Sequence, residues 1–131
     1  MVLTDPISDM ITVIRNGLVS SKKEVVSSGS KLKAEILKVL KRENLIENFR
    51  TEENENKSQI IISLKYLNKE PAITNIRRIS KPGRRVYVDK SHIPQFRRGR
   101  GFSLITTSKG LMTDKEAKKA EVGGEVIIEV W

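Results

Sequence analysis

The chain has 131 residues, no cysteine and a formal net charge of +9 at pH 7, long enough for one domain or two small ones that fold without staples. Disulfides and thiolate metal sites are excluded, and no apolar run approaches the roughly eighteen residues of a membrane span. The opening M-V-L-T-D-P-I carries neither the basic nor the apolar region of a signal peptide, which predicts a cytoplasmic address.

In chain order, Asp5 is placed to cap a helix and Pro6 suits its first position. Ile7, Met10, Ile11, Ile14 and Leu18 then recur along one helical face. Glu24 to Val26 predicts a short strand. Ser30 is placed to cap a second helix whose Leu32, Ile36, Val39 and Leu40 share a face, and Asn44 ends it because Asn tolerates the left-handed conformation. Leu45 to Thr51 and Ser58 to Leu67 predict an antiparallel hairpin around the polar turn E-E-N-E-N-K. The pattern breaks at N-K-E-P, residues 68–71, which divides the chain into domains 1–68 and 69–131. Beyond it, Ala72 to Ser80 predicts a strand, K-P-G-R a turn, and Arg85 to Val88 and Ser103 to Thr107 two further strands. Thr113 and Glu116 fit a capping box for a short helix through Ala120, stopped by Gly123 and Gly124. Glu125 to Trp131 closes the chain as a strand with Val126, Ile128 and Val130 on one face. The fold class is therefore α+β. Its N-terminal α/β domain runs helix, strand, helix, strand, strand, and its C-terminal domain is mainly β with one short helix.

Charge is unevenly spread. Residues 1–68 hold 11 basic and 9 acidic side chains and residues 69–131 hold 14 and 7, so the halves carry +2 and +7. Arg77, Arg78, Lys81, Arg84, Arg85, Lys90, Arg97, Arg98 and Arg100 are set against the single acid Asp89. So one-sided a segment repels itself unless it meets a counter-anion. Nucleic acid fits that need better than a membrane surface, since no basic amphipathic helix accompanies the charge.

Catalysis finds little to work with. His92, the only histidine, lies in S-H-I-P beside a proline and has no second His or Cys to complete a site. The S-K-L-K of residues 30–33 has the Ser-x-x-Lys spacing of penicillin-recognising enzymes without their companion motifs. Ser108 and Lys109 are adjacent and would face opposite ways on a strand. No phosphate-cradling G-x-x-x-x-G-K loop exists. The chain is predicted to be no enzyme and to need no cofactor or metal. An RNA-recognition sheet is the alternative, since R-G-F-S-L-I at 100–105 partly matches that module's aromatic strand, with Leu104 where a stacking ring belongs. The element order and the few aromatics argue against it. A helix-turn-helix fails because a strand separates the two helices.

Four segments carry a resemblance: D-P-I-S-D-M-I-T-V-I-R-N at 5–16, S-K-P-G-R-R-V-Y at 80–87, T-T-S-K-G-L-M-T-D-K at 106–115 and G-G-E-V-I-I-E-V-W at 123–131. In this order, across nearly the whole chain, they resemble the bacterial small-subunit ribosomal protein S-eight family. That resemblance implies a structural ribosomal protein of the cytoplasm, a primary ribosomal-RNA-binding protein that docks on a helix of the central domain of the small-subunit RNA. It implies an early role in assembly of the platform, small-subunit proteins five and twelve as neighbours, and in some members repression of their own messenger RNA. It assigns the RNA core contact to Thr106, Thr107, Ser108 and Lys109, with Glu125 close by and Gly123 and Gly124 allowing backbone to approach. Tyr87 becomes a stacking or sugar contact, Lys31 a phosphate contact, and Thr4, Asp5, Arg15 and Asn16 a motif that touches RNA. Three positions depart from the pattern: Thr106 stands where relatives usually carry Ser, and Arg84 and Arg100 stand where relatives often carry Leu. K-P-G-R-R at 81–85, with Arg84 and Arg85, and R-R-G-R-G-F at 97–102 are accordingly expected to add phosphate contacts. The acidic loop at 52–56 is expected to face away from RNA or toward a basic neighbour.

Overall fold

The computed structural model describes residues 5–93 and 101–131, which form two compact units, Pro6–Thr74 and Asp5 with Asn75–Trp131. The fold is α+β, as the sequence predicts.

In the first unit, α1 (Pro6–Val19) starts at its proline and buries Ile7, Met10, Ile11 and Ile14, with Gly17 buried and Leu18 half-buried at its end. β1 (Glu24–Ser28) alternates exposed and buried residues. At α2 (Lys31–Arg42) the Ser30 hydroxyl accepts from the Lys33 amide at 3.2 Å, closing the first turn, and Ile36, Leu37, Val39 and Leu40 are buried. Asn44 takes φ 62°, and the Leu45 amide reaches back to the Leu40 carbonyl at 2.9 Å, so the helix ends as its sequence predicts. β2 (Ile46–Asn54) and β3 (Lys57–Leu64) form the hairpin, and β3 lies between β1 and β2 in an antiparallel sheet. The strands run further into the polar tract than expected. Only Glu55 and Asn56 turn the chain, both with positive φ, the geometry whose twist suits a two-residue hairpin loop. A two-stranded ribbon, β4 (Tyr66–Leu67) with β5 (Glu70–Pro71), follows, and the Tyr66 hydroxyl donates to the Lys22 carbonyl at 2.6 Å.

Lys33 is the exception in this core. Only 1% of it is exposed, and its ammonium donates to the Ser28 carbonyl and hydroxyl at 2.9 Å each. Burial lowers its pKa, an effect partly offset by the charge of Asp9.

In the second unit, β6 (Ile76–Arg78), β7 (Tyr87–Val88), β8 (Phe102–Thr107), β9 (Gly110–Thr113), α3 (Asp114–Ala120) and β10 (Gly124–Val130) build one antiparallel sheet with a helix. β10 is central, with β8 and then β9 on one side and both β6 and β7 on the other. The two strands expected on either side of K-P-G-R do not pair as a hairpin. Ser80 donates its amide to the Val126 carbonyl at 3.0 Å, and Val126 donates to the Val86 carbonyl at 2.9 Å, so residues 76–80 and 86–88 follow the same edge of β10. They are one interrupted strand, from which Lys81–Arg85 loops out and closes on itself by paired Lys81–Arg84 backbone bonds of 2.9 Å.

Two further expectations are corrected. The residue that stops α3 is Glu121, left-handed at φ 55°, although the capping box of Thr113 and Glu116 forms as predicted. Gly123 and Gly124 instead permit close backbone approach: a Cβ on Gly124 would lie 2.1 Å from the Thr106 carbonyl oxygen and one on Gly123 2.3 Å from that of Val88. In β10 the pairing with β8 slips between Val126 and Ile128. The bulge takes up Ile127 as an extra residue, so Val126, Ile127 and Ile128 are all buried and simple alternation fails. Beneath the sheet, Ile93, Ile105, Ala117 and Val126 form a core edged by Ile79, Val86, Val88, Met112 and Val122.

Candidate nucleic-acid interface

Thr106 on β8, Glu125 on β10 and Tyr87 on β7 are direct partners across three strands. Side chains of paired residues project from the same face, so these three form a row. Tyr87 is 67% exposed, an unusual cost for an aromatic ring and the opposite of a core position. The Thr106 hydroxyl is buried and has no hydrogen-bond partner. An orphan of this kind costs about 1–3 kcal/mol in the free protein.

Glu125 is held from outside the row. Its Oε2 accepts from the Ser80 hydroxyl and, at 3.0 Å, from Arg85 Nη1. Burial pushes its carboxyl up, but these two bonds, with the charges of Arg85 and Arg78, outweigh that and hold it below the usual carboxylate range. It therefore stays an acceptor at neutral pH.

Beside the row lies the turn from Thr107 to Gly110. The Thr107 hydroxyl donates to the Gly110 carbonyl at 2.8 Å and accepts from the Lys109 amide at 3.0 Å. It is committed to shaping the turn, where Gly110 has φ 107°, while Ser108 and Lys109 are exposed. The sheet thus brings together Thr106, Thr107, Ser108, Lys109, Tyr87, Arg85, Gly123, Gly124 and Glu125, with Arg84 exposed on the adjoining loop. Ser80 belongs to this cluster and was not singled out from the sequence. Its signal was only that S-K-P-G-R-R begins with a hydroxyl.

In the other unit, Arg15 and Asn16 are exposed late in α1, and Lys31 is exposed at the first position of α2. Asp5 accepts from Arg78 Nε at 3.2 Å. Thr4, Arg97, Arg98 and Arg100 lie outside the described residues. Within the basic stretch, internal carboxylates answer three arginines: Glu129 pairs with Arg77, Asp5 with Arg78 and Glu125 with Arg85. Lys81, Arg84 and Lys90 are exposed. The self-repulsion expected from sequence is therefore partly relieved within the protein.

Catalytic alternatives gain nothing. His92 is exposed, and Asp89 and Ser91 both approach the same ring nitrogen, Nδ1, at 2.7 and 3.3 Å. A relay needs the acid and the nucleophile on different nitrogens. Among the described residues no three His, Cys, Asp or Glu side chains could hold a metal ion, and no helix is long and apolar enough to cross a membrane. The aromatic-strand alternative fails at β8, where Leu104 is fully buried and Phe102 half-buried.

Residues 5–131 match the family described as Ribosomal protein S8. The chain is 48% identical over 130 residues to the small ribosomal subunit protein uS8 of Nitrosomonas europaea, covering 99% of each. It is 46% identical over 131 residues to that of Novosphingobium aromaticivorans, covering all of both, and 48% identical over 132 residues to that of Thermosipho melanesiensis, covering 98% of each.

Proposed function

The chain belongs to the ribosomal protein S8 family and is a structural constituent of the small ribosomal subunit rather than an enzyme, and from that premise we propose that it is a primary RNA-binding protein. Its target is a helix of the central domain of the small-subunit RNA, bound early in platform assembly in the cytoplasm. Small-subunit proteins five and twelve are its proposed neighbours, and a look-alike site on its own messenger RNA is a further target.

The observation that carries this reading is the row Thr106, Glu125 and Tyr87. It gathers on one sheet face a buried hydroxyl without a partner, a carboxylate kept ionised and an exposed ring. RNA offers complementary groups in its wide, shallow minor groove: 2′-hydroxyls, base amines and sugar faces. The Thr106 hydroxyl is buried without a partner, and an RNA group that reaches it relieves the cost of its isolation. Lys81, Arg84 and Lys109 are exposed for phosphates. Lys31, Arg15 and Asn16 are proposed as outlying contacts, with Thr4 and Asp5 in the same motif.

The test is equilibrium binding to the cognate central-domain helix and to a scrambled duplex of equal length, each across a salt series. Phosphate neutralisation alone weakens both by roughly 0.7–0.9 log units per log unit of salt for each contact. The cognate RNA is expected to keep a large margin at physiological salt, and Thr106→Val to remove most of it without changing scrambled binding. Equal binding of both RNAs, fading together with salt, would overturn the reading.

A further inference from the structure

The base of the Lys81–Arg85 loop is closed by one side chain. Ser80 is completely buried, and its hydroxyl accepts from the Val86 amide at 3.1 Å while donating to Glu125 Oε2. Its backbone amide is bound to Val126, and Val126 in turn to Val86. Ser80 thus touches both ends of the loop and the carboxylate at the middle of the row.

We propose that Ser80 is a positioning residue for RNA discrimination: its hydroxyl fixes the Glu125 carboxylate and the loop bearing Lys81, Arg84 and Arg85 in one geometry, so that charge and hydroxyl contacts meet the RNA together. The proposal rests on the RNA-binding reading and deepens it. Removing the hydroxyl leaves the Val86 amide and the Glu125 carboxylate each short of a partner. Arg85, 47% exposed at its side chain, then becomes the remaining direct tether of Glu125. The carboxylate is free to follow a mobile guanidinium. Ser80 is neutral and buried, so its loss changes no phosphate contact directly.

A merely structural residue would lower stability and leave the cognate RNA margin in place. A positioning residue moves the Glu125 titration and that margin together. The groups facing Glu125 are Arg85 on the loop, Arg78 on β6, Tyr87 on β7 and Thr106 on β8. In the free protein, Ser80→Ala is expected to raise the Glu125 pKa, followed by carboxyl NMR, and to speed exchange of the Val86 amide. In RNA binding it is expected to reduce the cognate margin about tenfold, the size of one lost charge-assisted hydrogen bond, with an unchanged salt slope. That reduction should deepen as pH falls toward the raised Glu125 value, where wild type still holds its margin.

Ser80→Cys keeps the volume and a weak donor, and should fall between wild type and Ser80→Ala if the alanine variant folds poorly. An unmoved Glu125 titration in both variants overturns the proposal whatever the RNA result. A moved titration with an intact margin also overturns it while leaving the RNA-binding function standing. Absence of any margin in wild type instead removes the RNA-binding reading, and the positioning role with it.

Discussion

Thr106 and Thr107 are adjacent, chemically identical and differently employed. The Thr107 hydroxyl makes two bonds inside the Thr107–Gly110 turn, whereas that of Thr106 makes none. Thr107→Val should therefore cost about 1–3 kcal/mol in chemical denaturation, because it removes both hydrogen bonds that close the turn. Thr106→Val should leave stability unchanged or slightly raised, since it replaces an unsatisfied group by an isosteric methyl. Equal destabilisation by the two would show that the Thr106 hydroxyl has a partner in solution. From sequence the two could not be told apart. Both belong to one hydroxyl-rich block, and which hydroxyl closes the turn depends on where Gly110 bends the chain.

At the scale of elements, the buried amine of α2 sets a pH dependence. Burial lowers the Lys33 pKa below its ordinary 10.5, so the unfolded chain holds that proton more tightly than the folded one. Folding stability therefore rises with pH from the lowered folded value up to the unfolded value. Urea unfolding near neutral pH and again in alkaline buffer should show a gain that Lys33→Met loses. The same gain in both proteins would mean that Lys33 reaches solvent. Elements governed by local chemistry were legible in the sequence: the Ser30 cap, the left-handed Asn44 and the capping box at Thr113 all depend on residues within one turn. Features set by a strand's neighbours were not. The bulge at Ile127 exists only against β8, and the joining of residues 76–80 to 86–88 exists only along β10. Lys33 was equally hidden, because a lysine on a helix ordinarily signals solvent, and its acceptors come from the preceding strand.

For the whole molecule, the net charge of +9 draws any polyanion, and the row of Thr106, Glu125 and Tyr87 is proposed to select among them. The hairpin tip opposes the attraction with Glu52, Glu53 and Glu55, all exposed. Replacing these three by Gln would raise the formal charge from +9 to +12. Association with both cognate and scrambled RNA should quicken and tighten at low salt, with the margin between them unchanged. Selective tightening of the cognate complex would instead place the tip against the specific RNA.

The Lys81–Arg85 loop leaves the strand beside β10 and rejoins it at the same partner, Val126, because its neck is tied at Ser80 and Val86. Insertions or exchanges confined to those five residues would therefore leave every other register in the sheet alone. The loop is a replaceable cassette, whose cations can be exchanged while the scaffold beneath keeps its register.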